Sequence, residues 1–327
     1  MPEIIIILIK IIVAFGALIL IATYMTWMER RVFALVQVRY GPNRVGPAGL
    51  LQPIADGIKL MFKETVIPDR ADKFLFFFAP ALTLIPALAA FAVVPFGDSV
   101  VLFGRKIDLL IADVNVGILY IFALSGMGVY GVVLGAWASN SKYPLLGGLR
   151  SSAQLISYEL SLGLSLLGVV MISGTLSLKG IVDGQADLPY ILLQPLGFLL
   201  FVVCMLAETN RAPFDLPEAE SELTGGFHTE YSSMNFASYF LAEYCNMITL
   251  SAVAATFFLG GWRGPVLPPV VWFLIKVLAF MFFFMWLRAT TPRLRYDQLM
   301  AFGWKVLLPL SILNVVVTAG VIVVLDF

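Results

Sequence analysis

The chain has 327 residues, of which 60% are hydrophobic and only 13% charged, with a mean hydropathy of +0.93 and a formal net charge of zero. Soluble domains carry roughly 25% charged residues, so the composition excludes one and identifies a polytopic membrane protein. Equal numbers of basic and acidic residues, 21 of each, give no global attraction to nucleic acid or to an anionic surface.

Apolar runs long enough to cross a bilayer as helices, about 20 residues, lie near 4–27, 74–96, 109–138, 153–176, 189–207, 237–262, 266–287 and 302–325. They are continuous rather than alternating, and a helix satisfies its own backbone in lipid, so the expectation is an all-α fold. The sequence therefore predicts a single integral membrane domain over 1–327 with eight transmembrane helices. The first run ends in MERR without a small-residue cleavage site, and it reads as a retained helix rather than a secretion signal.

The loop after it is not an ordinary connector. RYGPNRVGPAGLLQP is rich in Gly and Pro and is expected to be irregular. The following residues, 51–62, place Leu51, Ile54, Ile58, Leu60, Met61 and Phe62 largely on one helical side, with Gln52, Asp56 and Lys59 among the polar positions. This predicts an amphipathic helix at the membrane surface, whether functional or a simple interfacial anchor. In the third run, GMGVYG at 126–131 matches the dinucleotide fingerprint but follows no strand. Helix packing explains it better, with Gly131 and Gly135 spaced to admit a neighbouring helix.

Between the fifth and sixth runs, ETNRAPFDLPEAESELTGGFHTEY carries Glu208, Asp215, Glu218, Glu220, Glu222 and Glu230 against only Arg211 and His228. Such a loop, 208–232, repels itself unless something basic covers it. Lys and Arg fall mainly on one side: 15 lie in loops after the odd-numbered runs and four in the others. This places the acidic loop in the cytoplasm or its equivalent and both termini on the opposite side.

Cys204 and Cys245 both lie in apolar runs and His228 is the single histidine, so the chain cannot build a four-cysteine cluster site or a bis-histidine haem site. Its carboxylates are the more informative groups. Glu159 and Glu243 each come six residues into the fourth and sixth runs, and Glu208 closes the fifth at the same face. Three acids thus share a shallow layer, two of them beside Tyr158 and Tyr244. Ionisable groups at membrane depth point to function; structural pairing with Lys276, Arg211 or a polar neighbour is the alternative. Lys10 and Asp113 read as interfacial or snorkelling residues.

Several segments resemble a known family: MERRVFALVQVRYGPNRVGPAGLLQPIADGIKL, SYE at 157–159, AETNRAPFDLPEAESELTGGFHTEYS, AEYCN at 242–246 and RATTPRLRYDQLM. They are similar, in order and over nearly the whole chain, to the H subunit of proton-pumping NADH:quinone oxidoreductase, respiratory complex I, whose mitochondrial counterpart is subunit 1. The resemblance implies a membrane subunit that forms much of the access tunnel for ubiquinone or menaquinone and begins a proton relay. It also implies partners in the peripheral arm, including the quinone-site subunits, and in the membrane arm. FMN and Fe–S clusters belong to those partners, and this chain binds no cofactor of its own.

Carried over by motif, the expected relay residues are Asp56, Tyr158, Glu159, Glu208, Glu218, Glu220, Glu222, Glu243 and Tyr244. The tunnel and its mouth fall to Glu29, Arg30, Arg31, Arg211, Phe214, Asp215, Arg288, Arg293 and Arg295, and no metal is implied. The expected setting is a bacterial inner membrane or a mitochondrial inner membrane, with both termini on the periplasmic or intermembrane side. Two other readings stand beside this one: the related membrane subunit of an energy-converting hydrogenase, and a secondary proton or ion transporter. The latter usually shows inverted repeats, and none is visible here.

Overall fold

The computed structural model describes residues 2–102, 105–218 and 220–325, with side chains for 4–99, 107–218 and 222–324. Thirteen helices run α1 (Pro2–Val36), α2 (Gln52–Phe62), α3 (Lys73–Ala90), α4 (Gly117–Ala138), α5 (Lys142–Ser173), α6 (Leu178–Asp183), α7 (Tyr190–Leu193), α8 (Pro195–Glu208), α9 (Glu220–Leu223), α10 (Ser233–Phe258), α11 (Pro269–Thr290), α12 (Tyr296–Phe302) and α13 (Leu308–Leu325) among the described residues. Seven helical stretches are long and apolar enough to cross a membrane, and α8 is a shorter apolar helix. Pro195 starts α8 immediately after Gln194, whose non-helical backbone separates it from α7. Together α7 and α8 cover the fifth apolar run.

The fold is all-α apart from one small feature. Strands β1 (Ser99–Leu102) and β2 (Arg105–Asp108) pair antiparallel, with Ser99 opposite Asp108. β2 ends where the third apolar run begins, and α4 starts only at Gly117, so the first residues of that run lie outside the helix. α1 runs past Trp27 to Val36 without a break. At 1.5 Å per residue its 35 residues reach about 52 Å, well beyond a hydrocarbon core of about 30 Å, so α1 is longer than a crossing requires.

α10 is the central helix, buried along most of its length. Small residues set how closely its neighbours approach. A Cβ on Gly131 would lie 2.1 Å from Thr83 Oγ1 of α3, and one on Gly135 would lie 2.0 Å from the Tyr239 hydroxyl of α10. That hydroxyl donates to the Gly131 carbonyl at 3.2 Å, and Tyr231 donates to the Gly135 carbonyl at 3.2 Å. Polar groups join the remaining helices: Gln194 donates to Thr318 at 2.7 Å and accepts from Asn314 at 3.1 Å, tying α13 to the start of α8. At the far end of α10 the Lys276 ammonium donates to the carbonyls of Leu259, Gly261 and Arg263 at 2.6, 2.8 and 2.7 Å, a cation on helix-terminal carbonyls.

Candidate functional site

The C-terminal end of α1 carries Glu29, Arg30 and Arg31, and each is fixed to a different element. Arg30 reaches Asp56 on α2 at 2.7 Å, and Asp56 also accepts from Gln52 at 3.0 Å. Arg31 donates to the Ala48 carbonyl at 2.6 Å and Trp27 donates to the same carbonyl at 3.1 Å. α2 is anchored on its other side by Ser233, which donates to the Leu60 carbonyl at 3.0 Å.

Glu29 turns inward and is 5% exposed. It accepts from Arg211 at 3.1 and 3.3 Å, from the Tyr244 hydroxyl at 2.6 Å, and from Arg288. Arg211 also pairs with Glu243, and its guanidinium lies 4.6 Å from the centroid of the Tyr244 ring. A buried carboxylate, a partly buried one, two arginines and a tyrosine therefore form one cluster drawn from α1, the acidic loop, α10 and α11. Burial opposes the Arg211 charge, but Glu243 and Glu29 hold the guanidinium protonated well above its ordinary range.

A small cavity continues from this cluster. Its lining includes Glu243 and Asn246 of α10, Glu218 and His228 of the acidic loop, Glu208 at the end of α8 and Ser125 of α4. Glu208 is buried; its Oε1 accepts from Ser125 at 2.6 Å, whereas Oε2 has no hydrogen-bond partner among the described residues. Glu159 lies against the next residue of α4: a Cβ on Gly126 would sit 3.5 Å from its Oε1. Adjacent positions on α4 thus bring Glu208 and Glu159 side by side.

The helices that bear these acids do not begin where the apolar runs do. α5 begins at Lys142, well before Ala153, because its first turns extend beyond the fourth apolar run. The common neighbour α4 brings Glu159 and Glu208 together.

The acidic loop is held from below by Gln154, whose amide donates to the carbonyls of Ala207 and Phe214, each at 2.8 Å. Phe214 is buried, its ring 5.7 Å from that of Tyr158, so it packs in the core. Tyr158 itself donates to the Leu299 carbonyl at 2.8 Å. Burial and the neighbouring Glu218 raise the Asp215 carboxyl to about 7, against the pull of Arg288, Arg293 and Arg211. Glu222 stands on the surface, where the hydrogen bond from Arg150 at 2.6 Å lowers its affinity for a proton.

Of the arginines expected at the mouth, Arg211 and Arg288 enter the cluster, and Arg293 acts on Asp215 and Glu222. Arg295 is turned away, paired through two bonds of 2.6 Å with Asp297 two residues along. The side chain of Glu220 lies outside the described residues. Ser125 and Gln154 went unnoticed in the sequence; the only signal was one small hydroxyl and one amide inside long apolar runs.

Comparison with other proteins bears on this geometry. A family model described as NADH dehydrogenase matches residues 9–319. The H subunit of NADH-quinone oxidoreductase from Syntrophotalea carbinolica is 56% identical over 316 residues, covering 97% of this chain and 96% of that protein. The H subunit numbered 2 in Geobacter sulfurreducens is 57% identical over 313 residues, covering 96% and 95%. The H subunit from Thermomicrobium roseum is 57% identical over 316 residues, covering 94% and 93%.

Proposed function

Since the chain belongs to the NADH dehydrogenase family, as a relative of the H subunit of NADH-quinone oxidoreductase, we propose that this membrane subunit forms much of the quinone tunnel and begins the proton relay of that proton-translocating enzyme. The observation that carries the reading is the continuity of charge from Glu29 through Arg211 to Glu243, and from there around one cavity to Glu218 and Glu208. Quinone reduction consumes two electrons and two protons. The electrons arrive through flavin and Fe–S groups of partner subunits, and this chain contributes position and charge. A change of charge near Glu29 or Asp215 is felt by Arg211, which both sites share. Its hold on Glu243 then changes, and proton occupancy shifts among Glu243, Glu218, Glu208 and Glu159.

In this reading the isoprenoid tail of ubiquinone or menaquinone passes beside α1 and α2, which are tied together by Arg30 on Asp56 and by Arg31 on the Ala48 carbonyl just before α2. Beside it Leu35, Val38 and Tyr40 are exposed next to Arg31 and Arg39, a surface of the kind that a partner subunit of the peripheral arm covers. Orientation follows the excess of Lys and Arg, with this surface on the cytoplasmic or matrix side and the termini opposite. The names of the relatives favour this assembly over a hydrogenase or a transporter.

Glu208→Gln in the native complex is the test. NADH-dependent quinone reduction and the pumping linked to it are expected to fall at least tenfold, while NADH oxidation by ferricyanide persists. Unchanged pumping refutes the relay reading, and equal loss of both activities marks failed assembly.

A further inference from the structure

A cleft of about 1030 Å³ opens between α1, α10 and α11, far along α1 from the charged cluster and roofed by the segment that follows β2. Its walls are aliphatic and aromatic, among them Ala17 and Ile21 of α1, Ile248 of α10, and Phe273 and Val277 of α11. Among the described residues, only Lys10 and Asp108 bring charge to the lining. The Lys10 ammonium donates to the Leu110 carbonyl at 3.2 Å, which brings it to the segment bearing Asp108. Neither residue takes part in an ion pair among the described residues.

The dimensions match half a bilayer. From Lys10 to Ile21, α1 rises about 16 Å, close to half of a hydrocarbon core of about 30 Å. The cleft is therefore charged at one end and apolar along a length close to that of one leaflet. It is also open sideways, because Ile12 and Val13 are 70% and 64% exposed. A positive and a negative group at the mouth of a one-leaflet apolar slot complement a headgroup that carries both signs. An anionic headgroup would meet Asp108 unfavourably, and a quinone ring would leave both charges unmatched at the edge of a low-dielectric slot.

We propose that this cleft binds a zwitterionic phospholipid, its phosphate on Lys10, its ammonium on Asp108 and an acyl chain between α1 and α11. Lys10 has used one of its three donors on Leu110, leaving two for phosphate oxygens. The bound chain fills the space where α1 parts from α10 and α11, and so steadies the helix that bears Glu29 at its other end.

The intact complex, delipidated in mild detergent, is reconstituted into vesicles of phosphatidylethanolamine or of phosphatidylglycerol, each doped with a photoactivatable acyl-chain analogue of the same headgroup. The phosphatidylethanolamine analogue is expected to label peptides covering 13–21 or 273–277, at least tenfold more than the phosphatidylglycerol analogue. Lys10→Gln should lower that labelling at least tenfold, and Lys10→Arg should retain it. Asp108→Asn should raise phosphatidylglycerol labelling toward the phosphatidylethanolamine level. NADH oxidation by ferricyanide and the native-gel band certify assembly of each variant, with the Asp108 variant and the two-headgroup comparison deciding if Lys10→Gln does not assemble. Equal labelling by the two headgroups in the unmodified complex overturns the proposal. So does labelling indifferent to Asp108→Asn, displacement by a quinone analogue, or cross-linking of these peptides to another subunit.

Discussion

Arg211→Met is the most incisive change to the buried cluster, because the two acids it serves are not equally provided for. Glu29 keeps Arg288 and the Tyr244 hydroxyl at 2.6 Å. Glu243 has no ion-pair partner besides Arg211 among the described residues. Stripping one partner from a buried pair costs about 3–5 kcal/mol, through the charge left behind. Glu243 retains 17% side-chain exposure, so the lower end applies, about 3 kcal/mol, or roughly a hundredfold in an equilibrium constant. Glu243→Gln leaves Arg211 on Glu29 and should cost about 1 kcal/mol. The double variant has no orphaned carboxylate and should recover about 2 kcal/mol relative to Arg211→Met alone. The assay is the temperature at which the native complex loses this chain, followed by native electrophoresis. The expected order puts Glu243→Gln and the double variant close together, both above Arg211→Met. A double variant no more stable than Arg211→Met would refute the argument that an orphaned Glu243 charge is what destabilises.

Three further outcomes follow from single contacts. The Asp215 carboxyl is raised from 3.8 to about 7, so the folded loop binds a proton more tightly than the unfolded chain, and stability falls as pH rises from about 4 to about 7. Asp215→Asn should flatten that dependence and leave the loop better protected at pH 8, read by hydrogen exchange corrected for intrinsic rates. Gln154→Leu removes the donor to the Ala207 and Phe214 carbonyls and should cost about 1–3 kcal/mol, seen as faster proteolysis within 209–218; unchanged cleavage would show the loop is held elsewhere. Gly226 has φ +63°, and a Cβ there would fall 1.6 Å from the Pro217 carbonyl oxygen, so Gly226→Ala should abolish accumulation of the assembled chain, whereas Gly57→Ala, in open space, should not.

The membrane class and the suspicion attached to 208–232 were legible because both are local properties of the sequence: long apolar runs, and acids without nearby bases. What could not be read is which charge meets which. Arg211 finds Glu29 across 182 residues, and Arg288 finds the same carboxylate across 259. Arg150, a residue of the fourth run's approach, covers Glu222, while Arg295 is captured by Asp297 beside it. Spacing along the chain carries no trace of such choices. The resemblance pointed to Glu29 and Arg211 as neighbours of a tunnel, but only the packing of α1 against α10 and α11 makes them one cluster. The break before α8 fell inside what read as one continuous run, 189–207, and the strand pair at Ser99–Leu102 and Arg105–Asp108 fell in the short connection between the second and third runs, which was not read as strand.

α1 is an uninterrupted rod from Pro2 to Val36, and that makes it sensitive to length rather than to composition. One residue inserted between Lys10 and Glu29 would turn everything beyond it by about 100° and advance it about 1.5 Å. Glu29 would swing off Arg211, and Arg30 off Asp56, even if the inserted residue were a perfectly good helix former. Seven inserted residues would bring the face back to within about 20°, but displace it by about 10 Å along the axis. Apolar substitutions on the lipid-facing side should be freely tolerated, while insertions and deletions should be confined to the connecting loops. A library of single-residue insertions through 11–28 should therefore be almost uniformly inactive, in a segment where point changes are mostly silent.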